Sequence, residues 1–365
     1  MKLPRHFKGR YGYTTGACAT AALKGALLLL KGERPDRVKI KLPIGLEAEF
    51  KLHELASNGK ISRASVIKDA GDDPDVTNGA EIKVEVKIFP GEGKIVFQAG
   101  EGVGIVTKPG LGLPLGEPAI SSVPRRMMKK IVAEVFGEEK KLWDFQITVS
   151  IPGGEMLAEK TLNARLGIRG GLSILGTKGI VVPYSTAAYK ASIVKAFHVA
   201  RALGISEVVL STGGRSEAFC QKIFSELPEE AFVQVGDFVG FALRSGRRNG
   251  FKRITLGMML GKMAKVALGL PNTHAKYGEI PLEKLFTLVK KLFPSENILP
   301  PLKEIHTARH FLEILEKRAP KLLPAFAEQL CLEAAEKARE MAGQGVRIRA
   351  ALLSFDGRLL ACVER

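Results

Sequence analysis

Cysteine is scarce and scattered in this 365-residue chain. Cys18, Cys220, Cys331 and Cys362 lie far apart and form no CxxC pair, which excludes a disulfide framework and the usual structural zinc spacings. Long apolar runs are lacking too. The nearest one, from Ala17 to Leu30, holds Lys24 and follows a Thr-Thr-Gly turn; it has neither the length of about 20 residues that a membrane span needs nor the layout of a signal peptide. It reads as a buried helix of a cytoplasmic protein. Acidic residues are in deficit: 38 Asp and Glu against 55 Lys and Arg leave a formal charge of +17, which attracts acidic partners at long range. Zinc-finger and RNP patterns, internal repeats and low-complexity segments are all missing. The basic residues are spread through the expected helices and strands, and the densest run, Arg244 to Arg253, reads as a solvated helix end rather than a nucleic-acid reader.

What the chain does have is a set of oddly composed loops: Tyr13-Thr14-Thr15-Gly16, Lys68 to Thr77 with Asp69, Asp72, Asp73 and Asp75, and the proline- and glycine-rich run from Lys108 to Arg126. Crowded carboxylates repel one another, and bare glycines and prolines bury little apolar surface. Such loops serve a ligand-binding surface better than a core, and they point to an enzyme.

The length predicts two domains. Residues 1–184 read as an α+β domain. A helix over about 17–31 is capped by Thr14 or Thr15, and strands surround Val38–Leu42, Glu47–His53, Ile82–Ile88, Lys94–Phe97 and Phe145–Ile151, with a helix over 124–136 between the last two. Residues 185–365 read as an α/β domain with a short parallel sheet. Its expected strands are 207–210, 232–235 and 253–258, alternating with helices over 185–203, 215–226, 238–247 and 261–267. Helices near 281–293, 302–318 and 323–341 follow, and a closing hairpin turns at Asp356-Gly357.

Several constellations could carry chemistry. After the strand ending at Leu210 come Gly213 and Gly214, then a helix, with Asp237 just past the next strand. This layout lets a ligand approach the backbone at a helix N-terminus and lets an acid bond ribose hydroxyls. The third glycine of the dinucleotide fingerprint is missing, which disfavours a dehydrogenase and leaves an adenosine ligand without a pyrophosphate. A plain strand-to-helix turn, with Asp237 as a helix cap, suits the same residues. The aspartate loop lacks calcium-loop spacing; its like charges are expected to raise the pKa of at least one member, which suits a general base near neutrality. Arg125 and Arg126 can clamp carboxylates. Asn272-Thr273-His274 ends a helix as a turn or a ligand contact, whereas His198 falls on an expected apolar helix face and reads as a core histidine.

Together, residues 13–19, 68–77, 109–126, Asn163 to Ile168 with Gly170 to Thr177, and 272–274 strongly resemble, in order and spacing, the cobalt-precorrin-5B C1-methyltransferase family of the CbiD type. The resemblance implies an enzyme that uses S-adenosylmethionine to methylate ring carbon C1 of cobalt-precorrin-5B, giving cobalt-precorrin-6A on the early-cobalt-insertion route to cobalamin. The cobalt-corrinoid substrate carries its own metal, so no resident metal is expected. On this resemblance Asp69 and Asp72, with Thr14 and Thr15, are catalytic candidates. Lys108, Arg125, Arg126, Asn272, Thr273 and His274 are candidate substrate contacts, and Gly213, Gly214 and Asp237, placed mainly by the strand-to-helix layout, are candidate cofactor contacts. Ser121-Ser122 and Met259 depart from the family pattern, which has Asn-Pro and His at those places. Two alternatives stay open: a methyltransferase acting on another tetrapyrrole position, and a basic nucleic-acid-binding protein.

Overall fold

Ile82, Val84 and Val86 are buried and alternate with Lys83, Glu85 and Lys87 along the strand Glu81–Pro90, the period-two pattern of a half-buried strand. A computed structural model describes residues 9–59, 61–279, 282–296 and 298–365. It divides the chain into two units, one ending at Ser185 and the other running from Thr186 to Arg365.

In the first unit, Glu81–Pro90 lies at the centre of a five-stranded sheet in the order Glu54–Ser57, Ile61–Ile67, Glu81–Pro90, Trp143–Ser150, Ile95–Ala99. All neighbours run antiparallel except the last pair. The helix Thr15–Leu30 is buried over most of its length by Ala17, Ala19, Ala21, Ala22, Leu23, Ala26 and Leu27. Small side chains let it lie close to the sheet, and the helix Ser122–Phe136 shares the same core through Met128, Ile131 and Val132. The strand Ile61–Ile67 goes unmarked by sequence alternation, because Ser62 and Ser65 are buried beside Ala64 and Val66. The hydroxyl of Ser65 donates to Glu81 at 2.7 Å.

The second unit holds the parallel sheet. Its order is Phe232–Gln234, Glu207–Ser211, Arg253–Met259, Arg347–Leu353, Leu359–Glu364, with the first four parallel and the last antiparallel. The expected closing hairpin therefore completes this sheet. The helix Gly214–Ile223 packs on one face through Cys220 beside Val209. The helices Thr186–Ala202, Val239–Arg248, Leu260–Ala267, Leu282–Leu292, Ala308–Arg318 and Leu323–Ala342 contribute to the larger core, which includes Val208 and Leu210. Position 281, expected to open one of these helices, lies outside the described residues. The Arg244–Arg253 run does contain a helix end, with Arg247 and Arg248 in its last turn. His198 corrects the sequence reading: it is exposed, while its neighbours Phe197 and Val199 are buried.

One buried charge stands out in the first unit. Lys68 is 2% exposed, and its Nζ lies 2.7 Å from Asp75 Oδ2. Burial pushes the Asp75 carboxyl up, but hydrogen bonds from Lys68 and Thr77 outweigh it and hold the group below its ordinary value. Removing one partner of such a pair leaves the other charge uncompensated. The pair is unequal, since the Asp75 side chain is 25% exposed and that of Lys68 only 1%. Asp75→Ala should therefore cost about 3–5 kcal/mol, and Lys68→Met clearly less, in denaturant unfolding of the first unit. Because the folded Asp75 pKa is depressed, its stabilisation is present above its ordinary value of 3.8 and fades as the pH falls through the folded pKa. Equal costs for the two variants would refute the asymmetry.

Candidate functional site

Loops from distant parts of the first unit converge on the start of the helix Thr15–Leu30. Tyr13 N–H donates to Asp69 O at 2.7 Å, Thr14 N–H to Gly179 O at 3.1 Å, Gly16 N–H to Leu175 O at 3.0 Å, and Ser121 N–H to Ile174 O at 2.9 Å. The fit is tight: a Cβ on Gly12 would sit 1.9 Å from the Ala70 carbonyl carbon. Thr14 Oγ1 caps the helix by accepting from Ala17 N–H at 3.2 Å. Thr15 Oγ1 accepts from Leu175 N–H at 3.0 Å and lies within donating distance of the Ser173 and Leu175 carbonyls. Both threonines are nearly buried: the Thr15 hydroxyl ties its loop to the 173–175 segment, and the Thr14 hydroxyl caps its own helix, so both have structural partners.

The aspartate loop is also built differently from its sequence reading. Every carboxylate of the loop is partnered, and Asp69 and Asp72 share Arg10. Asp69 pairs with Arg10 and accepts from Gly71 N–H at 2.9 Å, and Asp72 accepts from Arg10 N–H at 2.7 Å. Asp73 accepts from Tyr184 N–H at 2.9 Å, while Asp75 takes Lys68 and Thr77. The hydrogen bond from Arg10 and that from Gly71 hold Asp69 below its ordinary value. The expected upward shift is overturned, because local cations and N–H groups outweigh the mutual repulsion. Asp69 is therefore a poor general base near neutrality.

Arg125 is another correction. Its guanidinium donates to Ile120 O at 2.8 Å, Pro118 O at 3.0 Å and Glu117 at 3.0 Å, which makes it a brace for the preceding loop rather than a free clamp. Leu111 and Leu113 of that loop pack against Val106, Ala119 and Ile168, so the loop is less bare than its composition suggests. Lys108 lays its stem against Gly167 and reaches the Arg165 carbonyl at 3.4 Å. Arg126, by contrast, is exposed. With Ser122, Arg125, Lys129, Lys130 and Ala133 it lines a shallow depression of about 440 Å³.

The second unit contains a different cluster, at the carboxyl ends of its parallel strands. The chain order reverses between Glu207–Ser211 and Arg253–Met259, the switch point beside which open α/β sheets bind ligands. Gly213 and Gly214 follow the first of these strands and open the helix Gly214–Ile223. Gly213 has a φ of 179°, which any residue adopts, and a Cβ there would meet nothing within 4 Å. The turn does not require that glycine; its absence of a side chain keeps space open over the helix start. Ser211 Oγ, at the end of the same strand, is buried with no hydrogen-bond partner among the described residues.

Asp237 lies just past the strand Phe232–Gln234 and gathers the neighbouring loops. Its Oδ1 accepts from Lys262 Nζ and from Thr273 Oγ1 at 2.8 Å, and its carbonyl accepts from Thr273 N–H at 3.0 Å. Lys262 and Lys265 each reach the Thr273 carbonyl at 3.1 Å. Burial pushes the Asp237 carboxyl up, but the bonds from Lys262 and Thr273 outweigh it and keep the group ionised below its ordinary value. Asn272 Oδ1 accepts from His274 N–H at 3.0 Å, and His274 Nδ1 from Lys276 N–H at 3.0 Å. Asn272, Thr273 and His274 thus group with Asp237. The sequence reading missed Lys265, Tyr189, Glu217 and Gln234, which surround this cluster; only Gln234 carries a signal, as the last residue of a strand, and the other three lie within helices. The thiols of Cys18, Cys220 and Cys331 are pushed up to about 12 by burial, so none is a thiolate nucleophile near neutrality.

The CbiD family model matches residues 2–183, and the model for the CbiD C-terminal domain matches residues 272–364. The chain belongs to the CbiD family. Among its relatives is the cobalt-precorrin-5B C(1)-methyltransferase of Thermus thermophilus, 48% identical over 98% of this chain and 95% of the relative. The protein of the same name from Priestia megaterium is 46% identical over 97% of this chain and 95% of its own length. A crystal structure of the cobalamin biosynthesis protein CbiD from Archaeoglobus fulgidus is 28% identical, covers 71% of this chain and 79% of that one, and has a TM-score of 0.39. The strands Glu207–Ser211, Phe232–Gln234 and Arg253–Met259 fall between the two matched CbiD segments. Among the described residues, no helix is long and apolar enough to cross a membrane.

In Lys262→Met, the strongest bond opposing burial is lost and only the Thr273 bond and the nearby His274 remain, so the Asp237 pKa should rise. Carboxyl NMR titration would detect it. The wild-type Asp237 contributes stability above its ordinary value of 3.8 that is lost on acidification, and this acid dependence should shrink in the variant.

Proposed function

We propose that this chain transfers a methyl group from S-adenosylmethionine to ring carbon C1 of cobalt-precorrin-5B, giving cobalt-precorrin-6A on the early-cobalt-insertion route to cobalamin. Its membership of the CbiD family and its near-full-length similarity to methyltransferases named for this reaction support that reading. The observation that carries the donor assignment is the open space over Gly213 at the switch point of the parallel sheet.

The residues around that space fit an adenosine-bearing amino acid. The first N–H groups of the helix Gly214–Ile223 have no intrahelical partner and suit a carboxylate. Asp237 uses Oδ1 for Lys262 and Thr273, which leaves Oδ2 to accept from ribose hydroxyls. The buried Ser211 hydroxyl supplies a further polar group at the strand end. When bound, S-adenosylmethionine supplies a methyl group already activated on a sulfonium. The protein's share is orientation and exclusion of water, which is why positioning loops matter more than a strong base.

For the anionic macrocycle, Arg126 with Lys129 and Lys130 offers an exposed basic face on the helix Ser122–Phe136. Their exposed charges suit the acetate and propionate groups of the macrocycle. Of the other expected substrate contacts, Lys108, Asn272 and His274 keep this role in the proposal.

Two experiments test the reading. Anaerobic incubation with cobalt-precorrin-5B and methyl-labelled donor should give a singly methylated product carrying the label, and an unlabelled, unchanged corrinoid would refute the activity. Gly213→Val should stay folded, since its Cβ meets no protein atom, with a modest drop in melting temperature from the poorer helix cap, and should weaken donor binding in calorimetry by at least about tenfold, equivalent to roughly 1.4 kcal/mol. Full donor affinity in that variant would move the donor elsewhere.

A further inference from the structure

Three residues beside the proposed donor site have no role in it so far: Tyr189 on the helix Thr186–Ala202, Glu217 on the helix Gly214–Ile223, and Gln234 at the end of the strand Phe232–Gln234. Gln234 pairs in register with Ser211, and its Nε2 lies 3.7 Å from where a Cβ on Gly214 would stand. Tyr189 reaches the other flank. Its Oη lies 3.0 Å from the Cβ position of Gly236, next to Asp237, and its ring lies 5.6 Å from that of Phe238. The Tyr189 ring remains 39% exposed. Burial raises its hydroxyl pKa, as do the nearby Asp237 and Glu217 carboxylates, in keeping with this proximity.

The Glu217–Gln234 contact fixes a direction. Glu217 is nearly buried, at 6% exposure, and its Oε2 accepts from Gln234 Nε2 at 2.6 Å. An ionised carboxylate can only accept, so the Gln234 amide must turn its NH₂ towards Glu217 and present its oxygen elsewhere. Gln234 Oε1 has no protein partner among the described residues. It is an acceptor held in place, close to Gly214 and two residues before Gly236.

We propose that Tyr189, Gln234 and Glu217 form a purine-reading subsite, in which the Tyr189 ring stacks on the base and Gln234 Oε1 accepts from an exocyclic amino group, with Glu217 as the positioning residue. The inference rests on the donor reading above and adds to it the choice of base. An adenine 6-amino group donates to Gln234 Oε1. The 6-oxo group of hypoxanthine is an acceptor there and meets it unfavourably, and sites built on a fixed hydrogen bond reject such analogues strongly.

The probes are S-adenosylhomocysteine and S-inosylhomocysteine, with affinities measured by calorimetry on the full chain. The wild type should prefer the adenosyl compound by about tenfold or more. Glu217→Gln lets the Gln234 amide rotate, and the preference should fall to about threefold or less, with S-inosylhomocysteine binding as well as before or better. Gln234→Met, at a partly exposed position, should do the same and covers the case in which the buried Glu217 variant fails to fold. Tyr189→Ala should weaken both compounds together by about tenfold, and Tyr189→Phe should restore them. A ratio unchanged in both folded Glu217→Gln and Gln234→Met, or in Gln234→Met alone if Glu217→Gln does not fold, would overturn the inference while leaving the donor site standing. If the wild type binds neither compound, the donor reading itself falls, and the subsite with it.

Discussion

The second unit is organised at its functional edge by one carboxylate. Asp237 Oδ1 takes Lys262 and Thr273 together, and the Thr273 carbonyl takes Lys262 and Lys265. Three separate pieces of chain meet there: the turn after Phe232–Gln234, the start of the helix Leu260–Ala267, and the 272–278 loop. Lys265, only 4% exposed, extends the tie to the Gly278 carbonyl at 2.7 Å. An ionised group held this way is pre-organised, so its remaining oxygen can meet a ligand without first being ordered. The ends of parallel strands would otherwise be a row of loops with no common anchor.

The first unit uses its unusual residues for a different purpose. Thr14, Thr15, Arg125 and the aspartates Asp69 to Asp75 resemble an active-site inventory, yet in the structure they bond chiefly to backbone and to the side chains of Arg10, Lys68, Thr77 and Glu117. Irregular segments cannot satisfy their N–H and C=O groups by ladders or helices, so side chains must do it. Asp73 bonding the N–H of Tyr184, a non-glycine residue at φ 53°, is a case in point. The buried Lys68–Asp75 pair fixes the far end of the same loop. Arg126, Lys129 and Lys130 stand outside this scaffolding, exposed and bonding nothing in the loop network.

Much of this was legible in the chain. Period-two alternation marked Glu81–Pro90, and apolar strands alternating with helices marked the parallel sheet, because those patterns follow directly from which face is buried. Ile61–Ile67 escaped because its inward serines hide the alternation. The loops of the CbiD pattern were legible as a set, but the roles within them were not. Whether a carboxylate is a base or a brace depends on what lies within about 3 Å of it, and Arg10 beside Asp69 or Lys262 beside Asp237 are pairings across tens of residues that spacing does not encode. His198 went wrong for a simpler reason: it sits between two buried residues, and a small error in helix phase turns an exposed side chain into a core one.

Glycine shows the same limit most sharply, and it also shows how the structure overcomes it. In sequence, Gly12 and Gly213 look alike, Gly12 two residues before Thr14 and Gly213 directly after Thr212. In space they are opposites. A Cβ on Gly12 would collide with Ala70 at 1.9 Å, so the fold itself demands that glycine. Gly213 has an extended φ and open space around it, so neither backbone strain nor packing accounts for it. A residue that folding does not require, placed where the strand order reverses and helix N–H groups point outward, is best explained by something the fold must admit. Gly213 is therefore the glycine that folding explains least, whereas the residues of the crowded loops are accounted for by the bonds and contacts they make.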